Sequence, residues 1–237
     1  MNSHQKEVDT LRYLHPQWAY YYGESVRSFR SQKNVYKSSI EHIDFDCPSV
    51  LAPDQPKRFV LGGFHPYNGT PEDFKRFCCE LHLNPKDMHI YLDMNRLPLE
   101  SIERRFGEYR IQALIESLPF NDSSVDFLFL DFTVDYMNDE QLKRLSQCSS
   151  VSLSPNGLMF ITKTWPPDIK ELQRKHPQLT LHPWYVGELI AMMPNLKLVG
   201  FSCGYDSSLI TMARKDSPFK NYTLSPSDLR EEYPWPK

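Results

Sequence analysis

At 237 residues the chain is long enough to bury a full core, and one α/β domain with an N-terminal extension is the natural count. A net charge of −3 gives no global attraction to nucleic acid or to an acidic membrane surface, and no apolar run approaches the roughly 18 residues of a membrane span. The first 13 residues lack the apolar stretch of a secretory signal, and the five cysteines are scattered without CxxC spacing, so the expectation is reduced thiols in a cytoplasmic protein.

In chain order, residues 1–57 read as a helical extension and linker. From Lys6 to Phe29 the apolar residues Val8, Leu11, Leu14, Trp18, Tyr21, Tyr22 and Val26 recur at three- and four-residue spacing, one face of a helix broken near His15-Pro16. This aromatic, basic segment reads either as a lid over a substrate, with Trp18, Tyr21 and Tyr22 facing it, or as an extra helix packed on the domain. Three prolines between Asp46 and Lys57 mark the linker. The α/β domain spans 58–215, and 216–237 form a C-terminal tail.

Arg58–Leu61 is the first strand, halted by Gly62-Gly63 and followed by the loop Phe64-His65-Pro66-Tyr67-Asn68-Gly69. Thr70-Pro71-Glu72-Asp73 opens a helix with a capping hydroxyl, proline at the first position and acids in the first turn. Met88–Leu92 is a second strand ending on Asp93, and Pro98–Phe106 a second helix stopped by Gly107. Tyr109–Ile115 and Val125–Asp131 are strands three and four, separated by the polar turn Asn121-Asp122-Ser123-Ser124. The run Val-Asp-Phe-Leu-Phe-Leu-Asp suits a central parallel strand covered on both faces. Asn138–Cys148 is a helix, Leu158–Lys163 a fifth strand, and Pro167–Lys175 and Pro183–Met192 are helices. Leu196–Cys203 and Ser208–Arg214 close the domain as a hairpin joined by Gly204-Tyr205-Asp206. This alternation predicts a Rossmann-like, seven-stranded, mostly parallel sheet of order 3-2-1-4-5-7-6 with strand seven antiparallel. Ligands of open α/β sheets sit outside the carboxyl ends of the strands, which places Asp131 to Tyr136 over a site.

The order of strand, Gly-Gly loop, helix and strand ending in Asp, followed by Leu118-Pro119-Phe120-Asn121-Asp122-Ser123-Ser124-Val125-Asp126, resembles the class I S-adenosylmethionine-dependent methyltransferases of small-molecule type. Leu153-Ser154-Pro155-Asn156-Gly157-Leu158 resembles that family's turn before the fifth strand, and Ser208–Lys215 its last strand. The resemblance implies S-adenosyl-L-methionine as cofactor. Gly62, Gly63 and Phe64 would lie along its methionine part. Asp93 would accept from both ribose hydroxyls, with Met94 beside the adenine and Ile115 and Glu116 at the adenine edge. Asp131 and Phe132 would face the sulfonium and the acceptor, with Trp165 on the ligand side of the sheet. Asp131, Asp135, Tyr136 and His65 are the candidate proton acceptors. The first loop departs from the family's Asp-x-Gly-x-Gly-x-Gly: it reads Leu61-Gly62-Gly63-Phe64-His65-Pro66, without the early acid and with bulky residues in place of later glycines. No GxGxxG, nucleophile elbow or metal-ligand spacing competes. Three functions stand beside one another: methyl transfer to a small-molecule acceptor, a methyltransferase-like binding module or partner subunit without transfer, and a different reaction on the same fold.

Overall fold

The computed structural model describes residues 29–63, 70–94, 99, 108–175, 177, 180–203 and 207–230. In chain order it contains helix α1 (Phe29–Asp46), strand β1 (Arg58–Gly62), α2 (Thr70–Leu81), β2 (Met88–Asp93), β3 (Glu108–Gln112), β4 (Val125–Asp131), α3 (Asp139–Ser152), β5 (Leu153–Thr164), α4 (Pro166–Lys175), α5 (Val186–Ala191), β6 (Leu196–Cys203), β7 (Ser207–Arg214) and the short α6 (Pro226–Arg230). Single 3₁₀ turns occupy Ile115–Ser117 and Thr133–Tyr136.

The seven strands form one sheet of order β3-β2-β1-β4-β5-β7-β6. The pairs from β3 through β5 are parallel, and β7 runs antiparallel to both β5 and β6. The expected order and the antiparallel seventh strand are therefore present. β4 is central, with β1 on one side and β5 on the other.

Alternation along the strands divides the core in two. In β4, Leu128 and Leu130 face an aliphatic cluster that also holds Val60, Leu92, Met159 and Ile161. Phe127 and Phe129 face an aromatic cluster with Phe59, Tyr91 and Phe160. Leu142 and Leu145 of α3 and Val186 and Leu189 of α5 cover the aliphatic face. Tyr36 and Ile40 of α1 and Phe74 and Phe77 of α2 cover the other.

Some boundaries differ from those the sequence suggests. α1 lies within the helical extension but beyond the Lys6–Phe29 stripe: its buried residues Tyr36, Ile40 and Ile43 keep helical spacing, while lysines, serines and acids dilute the pattern. β3 stops at Gln112 instead of continuing to Ile115. As an edge strand it has one ladder partner, and after the Ala113 amide reaches the Asp93 carbonyl the chain turns into the Ile115–Ser117 turn. β5 begins at Leu153 rather than Leu158, because Leu153 already pairs with Val125 and the register then shifts around 154–157. A β-carbon at Gly157 would come within 2.7 Å of the Val125 carbonyl oxygen, so the detour requires glycine. The helix expected over 183–192 is shorter, Val186–Ala191, because the chain before it is held to the turn after β4, the His182 amide donating to the Asp135 carbonyl. The helix expected over 98–106, the lid segment and the link 204–206 lie outside the described residues, apart from Leu99.

Candidate functional site

The chain leaves β1 for β2 and β3 on one side of the sheet, then returns to β4 on the other. The switch point thus lies between β1 and β4, the place where open α/β sheets bind ligands. The register sets Gly62 beside Leu92 and Leu130, so Gly63, Asp93 and Asp131 follow at one level of the carboxyl edge.

Gly63 has φ 65°, a left-handed conformation that glycine adopts without the strain of a side chain, and its amide donates to the Leu92 carbonyl at 3.0 Å. The loop after β4 closes over this turn. The Thr133 hydroxyl donates to the Gly62 carbonyl at 3.1 Å, and a β-carbon on Gly63 would collide with that hydroxyl. A β-carbon on Gly62 would collide with Ile115. Gly63 is thus favoured by its own backbone conformation and by the Thr133 contact, whereas a side chain at Gly62 would require the tip of Ile115 to shift.

Asp93 ends β2 with 1% of its surface exposed. A carboxylate at this edge can accept hydrogen bonds from a hydroxylated ligand with both of its oxygens. Met94 beside it is exposed. Ile115 belongs to the aliphatic cluster. Glu116 is buried and faces α3: it accepts from Gln141 Nε2 at 3.2 Å and lies 3.8 Å from the Arg144 guanidinium. Gln141 is fixed in turn by a capping box with Asn138 at the start of α3.

At the end of β4, Asp131 is half-buried and its Oδ1 accepts from the Thr162 hydroxyl at 2.7 Å and from the Tyr36 phenol at 3.1 Å. Phe132 is buried in a left-handed conformation, φ 53°, and its amide donates to Thr162 Oγ1 at 3.1 Å. A non-glycine residue held in this way stores strain, a feature that concentrates at functional sites. Asp135 is fully buried; its two carboxylate oxygens accept from the Thr164 amide at 3.3 and 3.1 Å, and its carbonyl accepts from the His182 amide at 2.8 Å. It ties β5 and the 180–185 segment to the β4 loop. Tyr136 packs with Ile169 and Leu181, and Trp165 is half-buried where α4 begins.

Of the residues the sequence singled out, the structure brings Gly62, Gly63, Asp93, Asp131 and Phe132 to one edge, with Ile115 packed beneath Gly62. Glu116 and Asp135 are engaged by neighbouring elements. Phe64, His65, Trp18, Tyr21 and Tyr22 lie outside the described residues. Sequence reasoning missed Tyr36, Thr162 and His182. His182 stacks on Trp184 at 5.7 Å, burial pushes its pKa below the usual range, and the Trp184 indole donates to the Met137 carbonyl. Only Tyr36 left a trace in the sequence, the 36-40-43 spacing. Among the described residues no group of three His, Cys, Asp or Glu side chains could hold a metal ion, and no helix is long and apolar enough to cross a membrane. None of the five cysteines is in a disulfide.

No protein-family model matches the sequence, and no curated protein matches it. Solved structures do. An S-adenosylmethionine-dependent methyltransferase from Mesorhizobium loti superposes with TM-score 0.55 at 14% identity, covering 70% of this chain and 96% of that one. Geranyl diphosphate C-methyltransferase from Streptomyces coelicolor, solved with geranyl diphosphate and S-adenosyl-L-homocysteine, gives 0.53 at 12% identity over 76% and 81%. A chain from the Haloferax volcanii complex between a methyltransferase activator and a candidate methyltransferase gives 0.56 at 12% identity over 83% and 100%. At such identities the likeness is one of architecture: this chain has the fold of the class I S-adenosylmethionine-dependent methyltransferases.

Proposed function

We propose that this chain binds S-adenosyl-L-methionine at the β1/β2 edge and transfers its methyl group to a small-molecule acceptor lying over β4. The observation that carries the reading is Asp93, a buried carboxylate at the carboxyl end of β2, level with the left-handed turn at Gly63. A carboxylate there accepts two hydrogen bonds from a ribose diol, and a turn without a side chain lets a ligand approach the backbone. The cofactor supplies an electrophilic methyl group. What the protein contributes is alignment and exclusion of water, with Asp131 in reach of the acceptor side to take a proton where one is released. Asp135 and Tyr136, anchored behind it, keep the β4 loop in place.

A second reading is a methyltransferase-fold binding partner without transfer activity. The packing of Ile115 and Thr133 against the two glycines, and the engagement of Glu116 by α3, favour it. Calorimetry with S-adenosyl-L-homocysteine separates the two. Methyl transfer requires saturable one-to-one binding; no heat up to about millimolar ligand, equivalent to less than about 4 kcal/mol of binding, leaves the second reading standing.

A further inference from the structure

The N-terminal helix reaches the candidate site through one side chain. Tyr36 is fully buried among Phe77, Phe129 and Phe160, with ring centroids 6.3, 5.3 and 5.9 Å away. Its phenol emerges from this aromatic packing at the carboxyl end of the sheet. There it lies 3.1 Å from Asp131 Oδ1 and 3.3 Å from Thr162 Oγ1, while Thr162 donates to the same carboxylate oxygen at 2.7 Å. Three elements 95 and 126 residues apart in sequence thus meet on one oxygen atom.

We propose that Tyr36 is a positioning residue of the candidate site: with Thr162 it pins one oxygen of Asp131, and so aims the carboxylate at the positively charged part of the bound ligand. This rests on the reading of the site as an S-adenosyl-L-methionine site. The argument is geometric. A carboxylate on two rotatable bonds can sweep past the strand end, and two donors converging on one of its oxygens restrict that sweep. The Tyr36 ring cannot follow such a sweep, being wedged between three phenylalanines. Burial and the neighbouring Asp131 push the phenol's pKa well above the usual tyrosine value, so Tyr36 stays a neutral donor throughout the working pH range. Thr162 can donate to Asp131 while accepting from the Phe132 amide, which links the aim of the carboxylate to the strained backbone beside it.

A purely structural Tyr36 would affect all ligands of the site alike, whereas an aiming Tyr36 affects charged ligands selectively. The test is therefore a ratio. Calorimetry on the full-length protein compares S-adenosyl-L-homocysteine, neutral at its sulfur, with sinefungin, which carries an amine in place of the methylsulfonium. The wild type should prefer sinefungin by about tenfold, the scale of a nearby opposite charge at the rim of a protein. Asp131→Asn should abolish that preference. Tyr36→Phe should cut it about threefold or more, the effect of losing one donor to a charged acceptor. Thr162→Val should cut it similarly, and Thr162→Ser, which keeps the hydroxyl, should restore it. A Tyr36→Phe protein that binds both ligands with a preference equal to or above the wild type overturns the proposal and leaves the proposed function intact. A wild type that binds neither ligand overturns both. Should Tyr36→Phe not fold, the Thr162→Val and Thr162→Ser pair decides on the same ratio.

Discussion

The two faces of the sheet are built from different materials. Beneath α3 and α5 the core is leucine, isoleucine, valine and methionine; beneath α1 and α2 it is a lattice of rings, Phe59, Phe74, Phe77, Phe127, Phe129 and Phe160 with Tyr36 and Tyr91. Strand alternation puts the two candidate carboxylates on the ring side: Asp93 follows Tyr91, and Asp131 follows Phe129. Aliphatic side chains adapt their shape to neighbours, whereas rings pack in fewer geometries and hold what they touch. The face that has to hold polar groups at fixed angles is the one made of rings.

Removing the central ring is the most direct way to break this contrast. Phe129 meets Tyr36, Phe74, Phe77 and Phe160 at centroid distances of 5.1 to 5.6 Å. Phe129→Ala should cost about 4 kcal/mol in urea unfolding, and Leu128→Ala, its neighbour on the aliphatic face, about 3 kcal/mol. The reverse ranking would show that the rings hold orientation without dominating stability.

The next effect is on binding. Asp93→Ala should weaken S-adenosyl-L-homocysteine by roughly 1.5–3 kcal/mol, the range for hydrogen bonds to a charged group. Calorimetry showing unchanged affinity in a folded variant would remove Asp93 from the site. At the β1 turn, Gly63→Ala should destabilise the protein by about 2 kcal/mol, from left-handed strain together with the collision with Thr133. Repeating the substitution in a Thr133→Ala background should recover the collision part, measurable as a non-additive double-mutant cycle.

The smallest expected effect sharpens the contrast, because the ring face also holds a polar misfit. His89 is buried, stacks on Phe59 at 5.9 Å, and neither of its ring nitrogens makes a hydrogen bond among the described residues. Burial, helped by Lys75, lowers its pKa, so the folded state favours the neutral ring. With the folded value below the unfolded one, the full contribution to stability is present above about pH 6.5 and declines as the pH falls toward the folded value. His89→Phe should flatten that decline and add about 1 kcal/mol at neutral pH, by removing two unsatisfied polar atoms from a ring stack. Thermal melts at pH 5 and 7.5 would show whether the acid slope persists.

How much of this was readable beforehand follows from the range of the interactions. Strand identities, order and the antiparallel end were readable, because they depend on local patterning, on Gly62-Gly63 and Asp93 closing their strands, and on a hairpin-length link. The alternation in Val-Asp-Phe-Leu-Phe-Leu-Asp even separates the ring face from the aliphatic one. The engagement of Glu116 was not readable, since it depends on the α3 cap delivering Gln141 from 25 residues away. Nor was the meeting of Tyr36, Thr162 and Asp131, which no local pattern encodes. The helix that supplies Tyr36 lies beyond the readable stripe because serines and lysines dilute its apolar pattern, so its burial is set by the Phe129 and Phe160 rings waiting for it.

The place of β7 has a consequence for synthesis. This strand, Ser207–Arg214, is among the last parts of the domain to leave the ribosome, yet it fills a slot between β5 and β6. Until it emerges, β5 presents an unpaired edge from Leu158 to Thr164, buried along most of its length in the finished protein. Such an edge is a template for pairing with another chain. A nascent or truncated chain ending before Ser207 is expected to aggregate, whereas one ending at Arg214 has its last sheet edge on β6, whose burial is only partial along most of its length. The step that completes the sheet thus waits until Ser207–Arg214 has emerged, and β5 must be kept from other chains while residues 165–214 are made.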